Sequence, residues 1–150
     1  MHRAKILRRP LQRFSHTDPP GGQWARALQS AEQRSDADAV YFVGRALLLG
    51  EDGAPAKDAR AGKAWLRTAA EMGHAPAQAT LGRAVYEEME ALREQAHVHD
   101  YQAAAEAERW LTRAYEQGER DAARTLVPLY VARGDLAAAL RMMVSRWASR

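Results

Sequence analysis

The chain has 150 residues, of which 47% are hydrophobic and 27% charged, and its formal net charge is +3. It contains no cysteine, which excludes a disulfide framework and a thiolate nucleophile. No stretch approaches the roughly 20 consecutive apolar residues of a membrane span, and runs such as "ALLL" at 46–49 are far shorter. Abundant alanine with leucine, glutamate, arginine and glutamine favours helices, and the length is that of one domain with its own core.

The first segment of the chain is strongly basic. Residues 1–16 contain no acid and five basic residues, which are Arg3, Lys5, Arg8, Arg9 and Arg13. Subtracting these five charges from +3 leaves −2 on the remainder, so nucleic acid is not expected as a partner. We expect residues 1–21 to form a basic, flexible arm that ends at "DPPGG", and residues 22–150 to form the folded domain. Attachment to an anionic surface and an organellar presequence are the alternative roles of this arm.

Apolar spacing predicts seven helices after the arm. Residues such as Leu81 and Val85 recur at i, i+4 spacing, and Ala61, Trp65, Ala69 and Met72 are expected to form one buried stripe. The predicted helices cover about 23–34, 36–49, 58–72, 75–94, 100–117, 120–133 and 135–148. In the last of them, Met142, Met143 and Trp147 could form an apolar patch, but we favour a role in capping the stack.

Glycines divide into two groups. Those expected to end helices in the left-handed conformation are Gly50, Gly73, Gly118 and Gly134. Gly44 and Gly82 instead lie inside predicted helices, where glycine costs about 1 kcal/mol relative to alanine. This cost indicates that a second helix approaches closely at both positions.

The sequence repeats itself internally. "ADAVYFVGRAL" (37–47) aligns with "APAQATLGRAV" (75–85) at an offset of 38 residues, and "DAARTLVPLY" (121–130) follows at an offset of 45. A second element, "WLRTAAEMG" (65–73), matches "WLTRAYEQG" (110–118), also at an offset of 45. Each repeat is therefore predicted to contain two helices.

Residues 50–82 resemble the Sel-one-like repeat, a branch of the tetratricopeptide-like helical repeats. The matching residues are Gly50, Gly53, Asp58, Ala64, Trp65, Ala69, Ala70, Gly73, His74, Ala75, Ala77, Leu81 and Gly82. The resemblance implies an all-α fold over residues 22–150, a right-handed α-solenoid of stacked antiparallel helix pairs (an α/α superhelix) with about six to seven helices. Two features depart from the family pattern: Val127 replaces the helix glycine in the third copy, and the connection between residues 87 and 100 is longer.

Few residues suggest chemistry. His97, His99 and Asp100 could bind a metal or serve a hydrolase, but the i, i+2 spacing does not place both imidazoles on one helix face. We interpret them as a polar loop in which Asp100 caps the next helix. Lys63 in "AGK" lacks the rest of a phosphate-binding loop and is expected at a solvated helix position. No catalytic residue, metal or cofactor is therefore predicted, with an enzyme that uses His97 and His99 as the alternative.

Two further groups of polar residues have structural interpretations. The glutamates at 87, 88, 90 and 94 are expected to form a solvated helix face. His74 follows the helix-ending Gly73 at a position where the family commonly has histidine, and a structural role is expected for it.

The resemblance also implies that the first helix of each repeat lines a concave surface. Positions on that side include Ala79, Pro128 and Val131. The candidate protein-binding residues among them, called the Tyr/Arg face below, are Tyr41, Arg45, Leu48, Arg83, Tyr86, Glu87 and Arg124. Tyrosine and arginine are frequent at interface hot spots, and arginine binds carboxylates in a bidentate manner. An acidic or amphipathic segment of another protein is the expected partner.

The expected function is therefore protein binding without catalysis. The resemblance implies an adaptor, scaffold or regulatory role, often bacterial, and we expect the protein to be cytoplasmic. An immunity or chaperone-like protein that masks a secreted effector is one version, and an assembly adaptor is another. The sequence leaves the oligomeric state open.

Overall fold

The computed structural model describes residues 22–33, 36–51, 53–54 and 56–148, with side chains as far as residue 145. The predicted basic arm (1–21) and the side chain of Trp147 lie outside this part of the chain. The described residues form seven α-helices, one short 3-10 turn and no strand, which confirms the all-α class. The helices are α1 (Gly22–Glu32), α2 (Ala37–Leu49), α3 (Ala59–Glu71), α4 (Ala75–Ala96), α5 (Tyr101–Glu116), α6 (Ala123–Ala132) and α7 (Leu136–Ala148), with the 3-10 turn at Arg120–Ala122.

The predicted helix bounds agree with the observed ones to within two residues at all but one end. The exception is the predicted helix 120–133, which begins as the 3-10 turn and becomes α-helical only at Ala123. Glu119 precedes this turn and its side chain makes no capping hydrogen bond. Without a cap, the first amides are satisfied by the shorter-range bonds of a 3-10 turn.

Aspartates begin most of the α-helices and glycines end them. Asp58 Oδ1 accepts a hydrogen bond from the Ala61 amide at 2.9 Å. The same kind of cap is made by Asp36, Asp100 and Asp135. The predicted terminal glycines are confirmed in the left-handed region, with φ of 76° at Gly50, 86° at Gly73, 104° at Gly118 and 77° at Gly134. Caps of both kinds keep the connections short.

Helices α2 and α3 cross where glycine lies against glycine. A Cβ added to Gly44 would lie 2.8 Å from the Leu66 backbone nitrogen, and one added to Gly62 would lie 2.9 Å from the Gly44 carbonyl oxygen. Real Cβ atoms do not approach other atoms this closely. The close approach predicted for Gly44 is therefore confirmed, and the glycine of "AGK" serves the same contact.

Helices α4 and α5 cross in the equivalent way. A Cβ added to Gly82 would lie 2.7 Å from Leu111 Cγ and 3.1 Å from the Ala107 carbonyl oxygen. Ala107 and Leu111 stand 45 residues after Gly62 and Leu66. The internal repeat of the sequence is thus matched by a repeated helix crossing.

The core is built from leucine, valine and many alanines. Its largest fully buried side chains are Leu66, Leu81, Leu111, Leu126, Leu129, Val40 and Val43. The predicted stripe of α3 is wrong at Met72, which is 41% exposed, and Trp65 is only partly buried at the edge of the core. Ala69 is buried as predicted, and Leu66 and Ala70 are buried beside it, so the side of α3 that faces the core is rotated from the predicted stripe.

Packing runs mainly between helices that follow one another in the chain, from α1 against α2 to α6 against α7. Helix α2 also contacts α4, and α4 contacts the 3-10 turn. In α7, Met142 packs against the core, but Met143 is exposed together with Leu136, Leu140 and Val144. The predicted capping role is therefore wrong for Met143.

Candidate protein-binding face

Two parts of the Tyr/Arg face lie on helices that touch. They consist of Tyr41, Arg45 and Leu48 on α2 and Arg83, Tyr86 and Glu87 on α4, and these two helices are in contact. Arg45 and Arg83 are 38 residues apart, and so are Leu48 and Tyr86. The offset of the repeat therefore places an arginine at the same position of two neighbouring helices, each followed three residues later by a large side chain, Leu48 or Tyr86.

The α2 part is half-buried. Tyr41 and Leu48 both pack against the edge of the core. Arg45, which lies between them in the sequence, is half-buried. The Tyr41 ring lies 4.8 Å from the His74 ring, centroid to centroid, at an angle of 33°. These side chains are held in place by the fold before any partner binds, which lowers the entropic cost of binding.

His74 connects the start of α4 to α2. Its Nδ1 accepts a hydrogen bond from the Ala77 amide at 3.1 Å and caps α4. Its Nε2 lies 2.8 Å from Oδ1 of Asp38, in the first turn of α2. Both ring nitrogens are thus engaged within the fold, which confirms the predicted structural role of His74.

The α4 part is more open. The Arg83 and Glu87 side chains are 60% and 68% exposed, and their nearest atoms, Nε and Oε1, are 3.9 Å apart. Tyr86 is half-buried, and burial followed by the negative charge of Glu90 raises its pKa, although Arg93 acts in the opposite direction. The shift is away from neutral pH, so the Tyr86 hydroxyl keeps its proton there, as an ordinary tyrosine does.

Arg124 stands apart from the other two arginines. By the 45-residue offset, the position equivalent to Arg83 is occupied by Pro128, and Arg124 is equivalent to Ala79, one turn earlier. Arg124 is exposed, and its Nε lies 3.3 Å from Oδ1 of Asp121 in the preceding 3-10 turn. The third repeat therefore carries its arginine one turn earlier than the other two.

Glu90 and Arg93 extend the same side of α4 and were not among the predicted site residues. Arg93 Nη2 binds Glu90 Oε2 at 2.7 Å, and this hydrogen bond raises the pKa of Arg93. Helix α4 has 22 residues against 13 in α2. The sequence did contain a signal for Glu90 and Arg93. They lie in the long connection at residues 87–100, most of which continues α4.

The histidines after α4 take part in local structure. His97 ends the helix with φ of 53°, and its amide donates to the Arg93 carbonyl at 3.1 Å. The His99 ring stacks beside Tyr101 at 6.4 Å, and Asp100 caps α5 as predicted. In the part of the chain that the structure describes, no group of three or more His, Asp or Glu side chains could hold a metal ion.

Lys63 takes part in an ion pair between helices, so the expected solvated position is wrong. Its ammonium group binds Glu88 of α4, and its side chain is only 23% exposed. The equivalent positions 45 residues later are Glu108 and Arg133, and these also form an ion pair. The acidic run of α4 thus contributes Glu88 to packing as well as other residues to the surface.

Gln78 is the buried polar side chain of the core in the described ranges. It is 3% exposed, donates to the Ala70 carbonyl at 3.0 Å, and accepts from Gln117 at 2.7 Å. It therefore joins the end of α3, the start of α4 and the residue after α5. Sequence periodicity could not single it out, because a glutamine near a helix start is common on surfaces.

None of the described helices combines the length and the apolar character needed to cross a membrane. Comparisons with models of known protein families, with curated proteins and with solved structures found no match to this chain.

Proposed function

We propose that the chain is a non-enzymatic, cytoplasmic protein-binding module of the Sel-one-like type, in which α2 to α7 stack as three antiparallel pairs in a right-handed solenoid. Support comes from the repeated contacts: the crossing at Gly44 recurs at Gly82, and the Lys63–Glu88 pair recurs at Glu108–Arg133. In such a stack the first helices of the pairs form one side. That side exposes an extended surface to a partner.

The observation that carries the proposal is the contact between α2 and α4. Because of it, the helix that carries Tyr41, Arg45 and Leu48 lies next to the helix that carries Arg83 and Tyr86. Half-buried aromatic and aliphatic side chains beside exposed arginine are the composition of interface hot spots. A protein segment lying across both helices would bury these side chains together.

The partner that fits best is an amphipathic segment that carries carboxylates. Its apolar side chains would pack on Leu48 and the Tyr86 ring, and a carboxylate would bind Arg83. The loose contact between Arg83 and Glu87, at 3.9 Å, offers little competition for such a carboxylate. An adaptor, or an immunity or chaperone-like protein that masks an effector, would use a face of this kind.

Site-specific photocrosslinking in the source cell tests the proposal. A benzophenone amino acid at position 83 should capture a defined protein, identified by mass spectrometry, whereas the same group at Arg60 on α3 should not. Arg60 is a suitable control because it is exposed and lies on a second helix of the proposed stack.

Charge reversal then tests the role of the arginines. Arg83→Glu with Arg124→Glu should weaken binding of the captured protein at least tenfold, since hydrogen bonds to charged groups contribute about 1.5–3 kcal/mol each. The control, Lys57→Glu with Arg60→Glu, changes net charge equally and should bind normally. An equal loss of affinity in both variants would mean that net charge alone causes the effect. Unchanged binding by the Arg83→Glu, Arg124→Glu variant would exclude the Tyr/Arg face as the binding site.

A further inference from the structure

Two of the cavities between the described helices differ in charge. The first, of about 220 Å³, is enclosed by α3, α4 and α5. Its two cations are neutralised within the cavity, because Lys63 pairs with Glu88 and Arg67 binds Glu106 at 2.7 Å. Asp100, the third acid of the lining, caps α5. An anionic ligand would have to break the two pairs, so this cavity has no cation to offer.

Among the residues that the structure describes, the lining of the second cavity includes a cation and no carboxylate. Its volume is about 270 Å³, and its lining consists of Tyr115, Tyr130, Ala138, Arg141, Met142 and Ser145, from α5, α6 and α7. No carboxylate is among these residues. Arg141 and the Tyr130 hydroxyl make no hydrogen bond or ion pair with the described residues. The cavity is therefore lined by polar groups that still have donors to give.

The remaining polar groups of this cavity are already engaged, and the direction of their hydrogen bonds can be assigned. Ser145 Oγ donates to the Met142 carbonyl at 3.0 Å, so the Tyr115 hydroxyl donates to Ser145 Oγ at 2.7 Å. The Arg120 guanidinium lies 5.0 Å from the centre of the Tyr115 ring and adds a second positive charge nearby. What is left for a ligand is the guanidinium of Arg141, which can only donate, and the hydroxyl of Tyr130, which can donate as well as accept.

From this arrangement we propose that the cavity between α5, α6 and α7 is an oxyanion-binding site, in which Arg141 and the Tyr130 hydroxyl bind a carboxylate or a phosphate. Arginine presents five donors in a fixed fork that matches both groups. The tyrosine rings, Ala138 and Met142 would contact the carbon skeleton that bears the anion. None of these residues belongs to the Tyr/Arg face, so a test of this site is independent of a test of the proposed function.

The size of the cavity restricts the ligand. This cavity is open to solvent on one side, so its volume of about 270 Å³ limits only the group that inserts between the helices. It suits an aromatic or short aliphatic group with one anionic end. A protein side chain, a chain terminus and a small metabolite all share that chemistry.

The test is a titration of the full-length, ¹⁵N-labelled protein followed by NMR. Benzoate probes the carboxylate and phenyl phosphate the phosphate, and at least one should give saturable shifts of amides in residues 138–145. Arg141→Gln should weaken that binding about tenfold or more, because it removes a charge-assisted pair of hydrogen bonds. Tyr130→Phe should weaken it several-fold.

Controls keep the outcome decisive. Arg141 is exposed and unpaired among the described residues, so its replacement leaves the fold intact, and Arg124→Gln on α6 should bind like the unmodified protein. Saturation by one probe alone supports the site and identifies its ligand as carboxylate or phosphate. Three results overturn it: no saturation by either probe, binding that survives Arg141→Gln, and equal binding of uncharged benzyl alcohol.

Discussion

Lys63 of α3 and Glu88 of α4 form an ion pair whose charges are exchanged one repeat later, where Glu108 and Arg133 pair. Each pair spans 25 residues, and the two pairs are 45 residues apart. The geometry of the contact has thus been kept while the residue types have been reversed. Alignment by residue type cannot detect such an equivalence, because opposite charges score as a mismatch.

Exchange of charges within this pair should therefore be tolerated. Lys63→Glu alone places two carboxylates together and should lower the free energy of unfolding by about 0.5–1 kcal/mol, a modest value because partly exposed pairs are screened by solvent. Adding Glu88→Lys should restore most of that loss. Urea denaturation of the four proteins of the cycle measures the coupling.

The coupling energy between Lys63 and Glu88 should depend on salt concentration. The coupling energy should shrink when 0.5 M salt is added, since screening weakens an exposed interaction. A double variant no more stable than the single one would show that the surroundings, and not the pairing, select lysine at position 63.

Glycine at the helix crossings should resist replacement even by alanine. Gly62→Ala would place a Cβ 2.6 Å from the Leu48 backbone nitrogen, whereas Gly82→Ala would meet the Leu111 side chain at 2.7 Å. A side chain can move aside more easily than a backbone. We expect a loss of about 1–3 kcal/mol at Gly82 and a larger one at Gly62, although alanine gains about 1 kcal/mol of helix propensity.

Gly73 provides the matched control for this pair of substitutions. Nothing lies within 4 Å of a Cβ added there, but its φ is +86°. Gly73→Ala should therefore lose only the conformational term of about 1 kcal/mol. If urea denaturation ranks Gly73→Ala as the most damaging of the three, steric contact at the crossings is not what maintains glycine.

The sequence was informative about elements and less so about surfaces. Helix ends could be predicted because they depend on neighbouring residues alone. Asp58 and Asp100 cap the helices that follow them, and Gly73 ends the helix that precedes it. The burial of Leu66 in place of Met72 depends on the direction from which α2 approaches, which no local pattern contains. The cavity at Arg141 depends on three helices meeting, and its lining residues are up to 30 positions apart.

Burial also separates residues of the same type. Leu126 in α6 is fully buried, and Leu140 in α7 is 62% exposed. Leu126→Ala should destabilise the protein by about 2–5 kcal/mol, and Leu140→Ala by at most about 0.5 kcal/mol. Thermal unfolding followed by circular dichroism distinguishes them. Comparable losses would mean that the exposed side of α7 is covered, for example by self-association, which sedimentation at two concentrations would reveal.

The capping histidine should contribute through both of its nitrogens. His74→Ala removes the cap on α4 and the contact with Asp38, and should lower the unfolding free energy by about 1–2 kcal/mol. His74→Asn keeps a capping oxygen but cannot reach Asp38, so it should recover the larger part of that loss. Asp38→Ala isolates the second contact. An Asn variant as unstable as the Ala variant would show that the cap contributes little.

Glu106 should make the stability of the protein sensitive to acid. Burial raises the pKa of this carboxyl, but the hydrogen bond from Arg67 and its positive charge, together with Trp110 and the charge of Arg109, outweigh burial and hold the pKa below its ordinary value of 4.5. Because the unfolded chain then binds protons more readily than the folded one, the stabilisation is complete above about pH 4.5 and is lost as the pH falls through the lower folded value. Glu106→Gln removes this dependence, so urea denaturation should show a gap between the variant and the unmodified protein at pH 7 that narrows by pH 3. A difference in stability that stays constant over this range would mean that the Arg67 contact does not favour the ionised carboxylate.

Glu108→Gln is the control for the general loss of a negative charge, because it breaks a different ion pair.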